Sequence, residues 1–304
     1  MKWGDILRKS WKYLKEHKTL WYLGILAALT EGGSVGNFGS NSSWKNNQSD
    51  FEQYGNQAVD WVTAHTMQIG IIALAIFIIS LIIIYISYSA RAGLIQTVND
   101  LEESDKKPDF HRDFHAGQKY FWRMLGITVL IALIAMAIVL GIVIVAGGLI
   151  VLSISVSLWI LILAVPVTLA SIAGLFVLVV YLNVLTFLSY RVAIIENKKI
   201  VDSIAEARHL IHHNFGNLLL AWIINVAINT AFALAMVIAG TVVIGILTAI
   251  GFGIYYAGGS ILTWSYAMVA FVAITLAMLI LFGAFNAFFS TFWTIVYRRL
   301  AKSS

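Results

Sequence analysis

The residues with the clearest chemical potential are histidines. His111 and His115 stand four apart with Asp113 between them, and His209, His212 and His213 crowd a second short segment. Imidazoles at i and i+4 share a helix face and can hold one zinc ion. Against that chemistry, neither group carries a His-Glu-x-x-His frame, and the chain has no cysteine. Thiolate chemistry, a disulfide framework and Cys-ligated metal are thereby excluded. No cofactor or bound metal is expected, and His111, His115, His209 and His213 stay metal candidates on spacing alone.

A second group is made of amides lying in otherwise apolar sequence. Asn225 and Asn229 are four apart and share a helix face. Counted from Phe215 at 1.5 Å per residue, they lie about 15–21 Å along their helix. On the same count Asn286 lies about 18 Å from Arg298, and Asn183 about 12 Å from Arg191. These depths allow the four side chains to meet between the last three spans. They would form either a polar substrate site or interhelical hydrogen bonds worth about 0.6 kcal/mol each. The sequence by itself favours the packing role. Glu31, beside Gly32-Gly33, is the remaining acidic candidate near a span end; it is read first as a helix terminator reaching water.

What must position these residues is a set of membrane spans. Mean hydropathy is +0.85, with 60% hydrophobic and 12% charged residues, against about 25% charged in soluble domains. Nineteen of the 20 Lys and Arg fall in four short segments, Lys45 being the exception. Between them lie runs without charge: 67–90, 124–190 and 215–297. About 20 residues cross a hydrocarbon core, and cationic flanks on both sides of a run require an even number of crossings. Residues 124–190 and 215–297 are therefore each expected to form a span hairpin, turning near 147–157 and near 251–260.

Residues 19–30 give only about 18 Å of helix. Charge counting nevertheless makes them a crossing, because 1–18 carry six Lys/Arg while 31–66 carry one Lys and four acids. The expected fold is all-α: a polytopic transmembrane bundle of about six spans. Its parts are a surface helix at 1–18, an outer Gly/Ser/Asn-rich loop at 31–66, a span at 67–90, an inner loop at 91–123 and a surface helix at 191–214. Both termini are expected in the cytoplasm of a cell-membrane protein. Asn41 and Asn47 match the glycosylation acceptor pattern, which such loops often produce by chance.

Three amphipathic stretches each lead into a span: 4–14, 110–122 and 200–211. In the first, Ile6, Leu7, Trp11 and Leu14 form an apolar stripe; in the third, Ile200, Ile204, Ala207 and Ile211 do. Such helices lie in the interface plane. Small residues recur every four positions at Ala231, Ala235 and Ala239, at Ala273 and Ala277, and at Gly283 and Ala287, which predicts close backbone packing. Pro166 is expected to kink its helix.

These elements carry a resemblance. Residues 6–15 (Ile-Leu-Arg-Lys-Ser-Trp-Lys-Tyr-Leu-Lys), then 20–26 (Leu-Trp-Tyr-Leu-Gly-Ile-Leu), the Gly-rich loop, and 191–196 leading into 203–208 are similar to bacterial integral membrane proteins of poorly characterised role. Those proteins are related to the membrane domain of glycerophosphodiester phosphodiesterases. The resemblance implies a six-span helical domain near lipid metabolism or transport and transfers no catalytic residue, because the hydrolase domain of those relatives has no counterpart here.

The functional expectation is a non-enzymatic integral membrane protein acting by interaction, assembly or membrane organisation. The alternative is a transporter or lipid-handling protein with a polar site between the last three spans. Its partners are the lipid bilayer and a further membrane protein or second copy. The positive charge is assigned to topology and anionic headgroups rather than to nucleic acid.

Overall fold

The computed structural model describes residues 2–30, 62–63, 65–104, 106–155 and 161–302. Among them the elements are all helices: α1 (Trp3–Glu16), α2 (Lys18–Ala28), α3 (Thr66–Ser104), α4 (Phe110–Gln118), α5 (Phe121–Ser155), α6 (Leu161–Ile195) and α7 (Ile200–His213). The long final helix breaks at Gly259, whose φ of 76° lies in the left-handed region that glycine enters without a Cβ penalty. The break yields α8 (Phe215–Tyr256) and α9 (Gly259–Ala301). Among the described residues, five helices are long and apolar enough to cross a membrane: α3, α5, α6, α8 and α9. The all-α polytopic bundle expected from the sequence is the fold observed, and a count of about six spans is compatible with it.

Charge and packing gather at one end. Arg298 donates to the backbone oxygen and Oδ1 of Asn99 (2.7 and 2.9 Å), and Lys9 pairs with Glu102 at 2.7 Å. Arg123 donates to Asn197, across the α5 and α6 ends. The hydrophobic core lies at this same basic end, around Ile95, Met124, Ile127, Leu188, Leu210, Phe292 and Trp293, all nearly or fully buried. Beyond it, apolar side chains of α3 from Met67 to Ile82 stand exposed. Residues 66–86 of α3 measure about 31 Å and residues 259–282 of α9 about 36 Å, close to the ~30 Å of a hydrocarbon core. A water-excluded core at one end therefore carries apolar helical arms whose faces suit lipid.

The first segment expected to cross is shorter than the five long helices among the described residues. α2 has 11 residues, about 16 Å, and buries Leu20, Leu23, Gly24, Ala27 and Ala28. Ser87 donates to the Ala27 carbonyl (2.8 Å) and shares a 2.7 Å hydroxyl contact with Thr30. α2 thus ends level with Ser87, and the apolar arm of α3 continues past it. Residues 31–61, with Glu31, Asn41 and Asn47, lie outside the described residues.

Two boundaries differ from expectation, and a third agrees with it. The segment 91–123 is not a loop: α3 runs straight through Arg91 to Ser104. Ala92, Gly93, Leu94, Ile95, Val98 and Leu101 are buried there, so packing extends the helix past its first cation. Gly147 and Gly148 stay inside α5, which ends at Ser155. Residues 215–297 form a single hairpin, not four crossings, with its break inside the expected 251–260 stretch. Pro166 is held within the second turn of α6.

The expected amphipathic segments are all helical, as α1, α4 and α7, and they lean onto the basic end. α1 buries Ile6, Ser10 and Leu14 while Trp11 is half exposed. α7 buries Ser203, Ala207, Leu210 and Ile211. Asp109 caps α4, accepting from the Arg112 amide at 3.0 Å.

Small residues divide into two kinds. Gly283 and Ala287 pack directly on α2. Ala231, Ala235, Ala239, Ala273 and Ala277 are exposed, so the internal packing expected of them is not found. They sit on the apolar arms, where they stay exposed among the described residues.

The α6–α7 link is tied to α9 by a carboxylate. Tyr297 donates to Glu196, which also pairs with Lys198 at 2.7 Å. Partial burial pushes the Glu196 carboxyl up, but hydrogen bonds from Lys198 and Tyr297 outweigh it and hold the group below the usual carboxylate range. A lowered value stabilises the fold above the unfolded pKa of about 4.3 and loses that contribution as pH falls through the folded value. The thermal midpoint in neutral detergent should therefore fall more steeply in wild type than in Glu196→Gln between about pH 5 and pH 3. Superimposable acid limbs would refute this account.

Candidate functional site

A cavity of about 400 Å³ opens where α3, α6, α8 and α9 meet. Helical periodicity brings its walls together. Along α6, Asn183, Phe187, Tyr190 and Arg191 follow an i, i+4, i+7, i+8 stripe. α8 contributes Trp222, Asn225 and Asn229 at i, i+3, i+7, and α9 contributes Phe285, Asn286, Phe289 and Ser290. Arg91 and Ile95, one turn apart on α3, complete it. All four asparagines expected to meet do so.

They line a shared space, and Asn225 and Asn229 bond to each other within α8. Asn225 and Asn286 are buried, while Asn183 and Asn229 are exposed at the margin. Asn183 Nδ2 donates to the Val179 carbonyl within its own helix (2.9 Å). Asn229 Nδ2 donates to the backbone oxygen and Oδ1 of Asn225 (2.9 and 2.6 Å), again within one helix. These three amides are not the interhelical ties that the sequence favoured. Because α8 satisfies its own pair, the neighbouring helices need not close on it.

The decisive group was missed. Arg191 ends a charge-free run and reads in sequence as a span boundary, yet its side chain is 2% exposed. Nη1 donates to the Phe187 carbonyl (2.6 Å) and Nη2 to the Ser290 carbonyl (3.1 Å). Nε is buried without a hydrogen-bond partner, as is Oγ of Ser290 beside it. Among the described residues no carboxylate pairs with Arg191. Arg91 also lines the cavity, its guanidinium 5.6 Å above the Tyr88 ring. Tyr88 donates to Thr128 (3.2 Å), and Thr128 and Tyr190 share a 2.6 Å contact, so hydroxyls link α3, α5 and α6 next to the cavity. The stripe from Asn183 to Arg191 was the available sequence signal.

A buried guanidinium on two carbonyls is an incompletely neutralised cation. Taking such a charge from water costs several kcal/mol unless opposite charge and hydrogen bonds compensate. The cavity presents positive charge, amide groups and aromatic walls, a donor set suited to an anion.

The histidines pair within their own helices. His111 and His115 rings lie edge to face at 4.7 Å, with His115 Nδ1 2.8 Å from Gln118 Oε1. Asp113 between them is engaged by the Arg112 side chain (2.8 Å) and the Asp109 amide (3.1 Å). His209 and His213 stack at 5.5 Å. Among the described residues no three His, Asp or Glu side chains converge as metal ligands would. Glu31 lies outside the described residues.

Comparison with known protein families, characterised proteins and solved structures finds no match to this chain.

Proposed function

We propose that this chain is a non-enzymatic membrane protein of the transporter or lipid-handling class, holding an anionic ligand at Arg191. The observation that carries this reading is a fully buried arginine, unpaired by any described carboxylate, on a cavity of about 400 Å³. That volume falls within the ~300–1,000 Å³ of small-ligand sites.

Binding is tested with the full chain in zwitterionic nanodiscs, replacing chloride by inorganic phosphate at constant ionic strength. Phosphate should raise the thermal midpoint of wild type and leave Arg191→Met unmoved. An equal rise in both, or none in either, would overturn the reading.

The basic end is assigned to the cytoplasm on the positive-inside rule. Since the chain lacks cysteine, Lys12→Cys supplies a unique thiol at that end. Impermeant maleimide should label it only after cells are permeabilised; labelling of intact cells would invert the assignment.

A further inference from the structure

A second space adjoins the cavity. Val177, Val180 and Val184 of α6, with Leu218, Leu219 and Trp222 of α8, line an apolar groove of about 260 Å³. Trp222 belongs to both spaces, and on α6 the two linings interleave: Val180 and Val184 flank Asn183 on successive turns. On α6 the groove lies farther from the charge than the cavity does, whereas its α8 wall, Leu218 to Trp222, sits nearer the basic end than Asn225 and Asn229. Residues 176–184 lie about 10–22 Å along α6 from Arg191, toward the apolar arms. Its outer edge is open, with Phe176 64%, Val177 65% and Phe215 61% exposed.

A cationic polar chamber beside an apolar groove, with Trp222 in the wall of both and the outer edge of the groove open, has the outline of an amphiphile. We infer, resting on the anion-binding reading above, that the ligand is an anionic lipid. Its phosphate-bearing headgroup sits on Arg191 in the cavity, and its acyl chain lies in the groove between α6, α7 and α8. A free anion would leave the groove without a role. Lipid tails are as apolar as the groove, so affinity comes from the phosphate on the guanidinium. The groove contributes orientation and lateral entry from the bilayer.

The test uses the full chain in phosphatidylcholine nanodiscs doped with phosphatidic acid carrying a diazirine in its acyl chain. Photolabel should concentrate on peptides spanning 176–184 and 215–222. Unlabelled phosphatidic acid should compete it away, and extra phosphatidylcholine should not. Arg191→Met should reduce groove labelling about tenfold or more, the loss of one charge-assisted hydrogen bond. Leu219→Trp, which fills the groove from the helix surface, should reduce labelling yet keep the phosphate-induced rise in thermal midpoint.

Label spread evenly over α3, α5 and α9, or unchanged in Arg191→Met, overturns the lipid assignment. If phosphate still protects through Arg191 in that case, the anion site stands and only the lipid falls. If phosphate protection is also absent, both fall.

Discussion

Arg191→Met is expected to abolish anion binding while leaving thermal stability unchanged or raised. The two effects part because the guanidinium is an asset to a ligand and a cost to the fold. Burying a cation costs several kcal/mol even after relaxation. Here only the Phe187 and Ser290 carbonyls offset it. Methionine keeps the length and packs apolar atoms, so removing the charge recovers desolvation energy at the loss of two hydrogen bonds. Replacing buried ionic groups by apolar ones of similar volume is often neutral or stabilising by about 1–4 kcal/mol.

For a bound anion the sign reverses, since each charge-assisted hydrogen bond is worth about 1.5–3 kcal/mol, or roughly 10–150-fold in affinity. Arg191→Lys retains charge without the planar fork and should bind with intermediate affinity. A marked fall in melting midpoint for Arg191→Met, with phosphate protection retained, would make Arg191 a structural strut and refute the site.

Gly24→Ala should be among the most destabilising single methyl additions in the chain. A Cβ there would stand 2.2 Å from the Gly283 carbonyl oxygen and 2.8 Å from Ala287 Cβ. The opposing group is backbone and cannot rotate away, so α2 and α9 must separate. Overpacking typically costs about 1–3 kcal/mol, occasionally more, and this contact belongs at the upper end. Gly141→Ala provides the control: nothing lies within 4 Å of its Cβ. The same change in that exposed helix should be neutral or stabilising, by up to about 1 kcal/mol of helix propensity. Thermal midpoints of the two variants in one detergent compare them, and an unshifted Gly24→Ala would refute close α2–α9 packing.

Much of the site was legible in part. The asparagine depths came from counting rise per residue, and Asn183, Asn225, Asn229 and Asn286 do line one cavity. Their role was read as bonding between helices, because depth says which groups are level but not whether backbones come close enough to join them. Arg191 was hidden for a related reason. An arginine after 67 uncharged residues looks like a boundary, and only the packing of α3, α8 and α9 around it shows that it is buried. The exposed alanines of α8 carry the same lesson: a four-residue repeat marks a face that permits contact, and another helix must still arrive there.

The sequence by itself determined the membrane character, the helical class, the hairpins and the gathering of 19 cations at one end. These follow from the cost of moving each residue from water into hydrocarbon, a property of local composition. Tertiary structure decided that α2 is a short buried helix, that α3 continues through Arg91, and that a cationic cavity stands beside an apolar groove. Those outcomes depend on which faces of sequence-distant helices meet. Gly24 against Gly283 and Arg191 against Ser290, about 260 and 100 residues apart, are contacts that no local composition specifies.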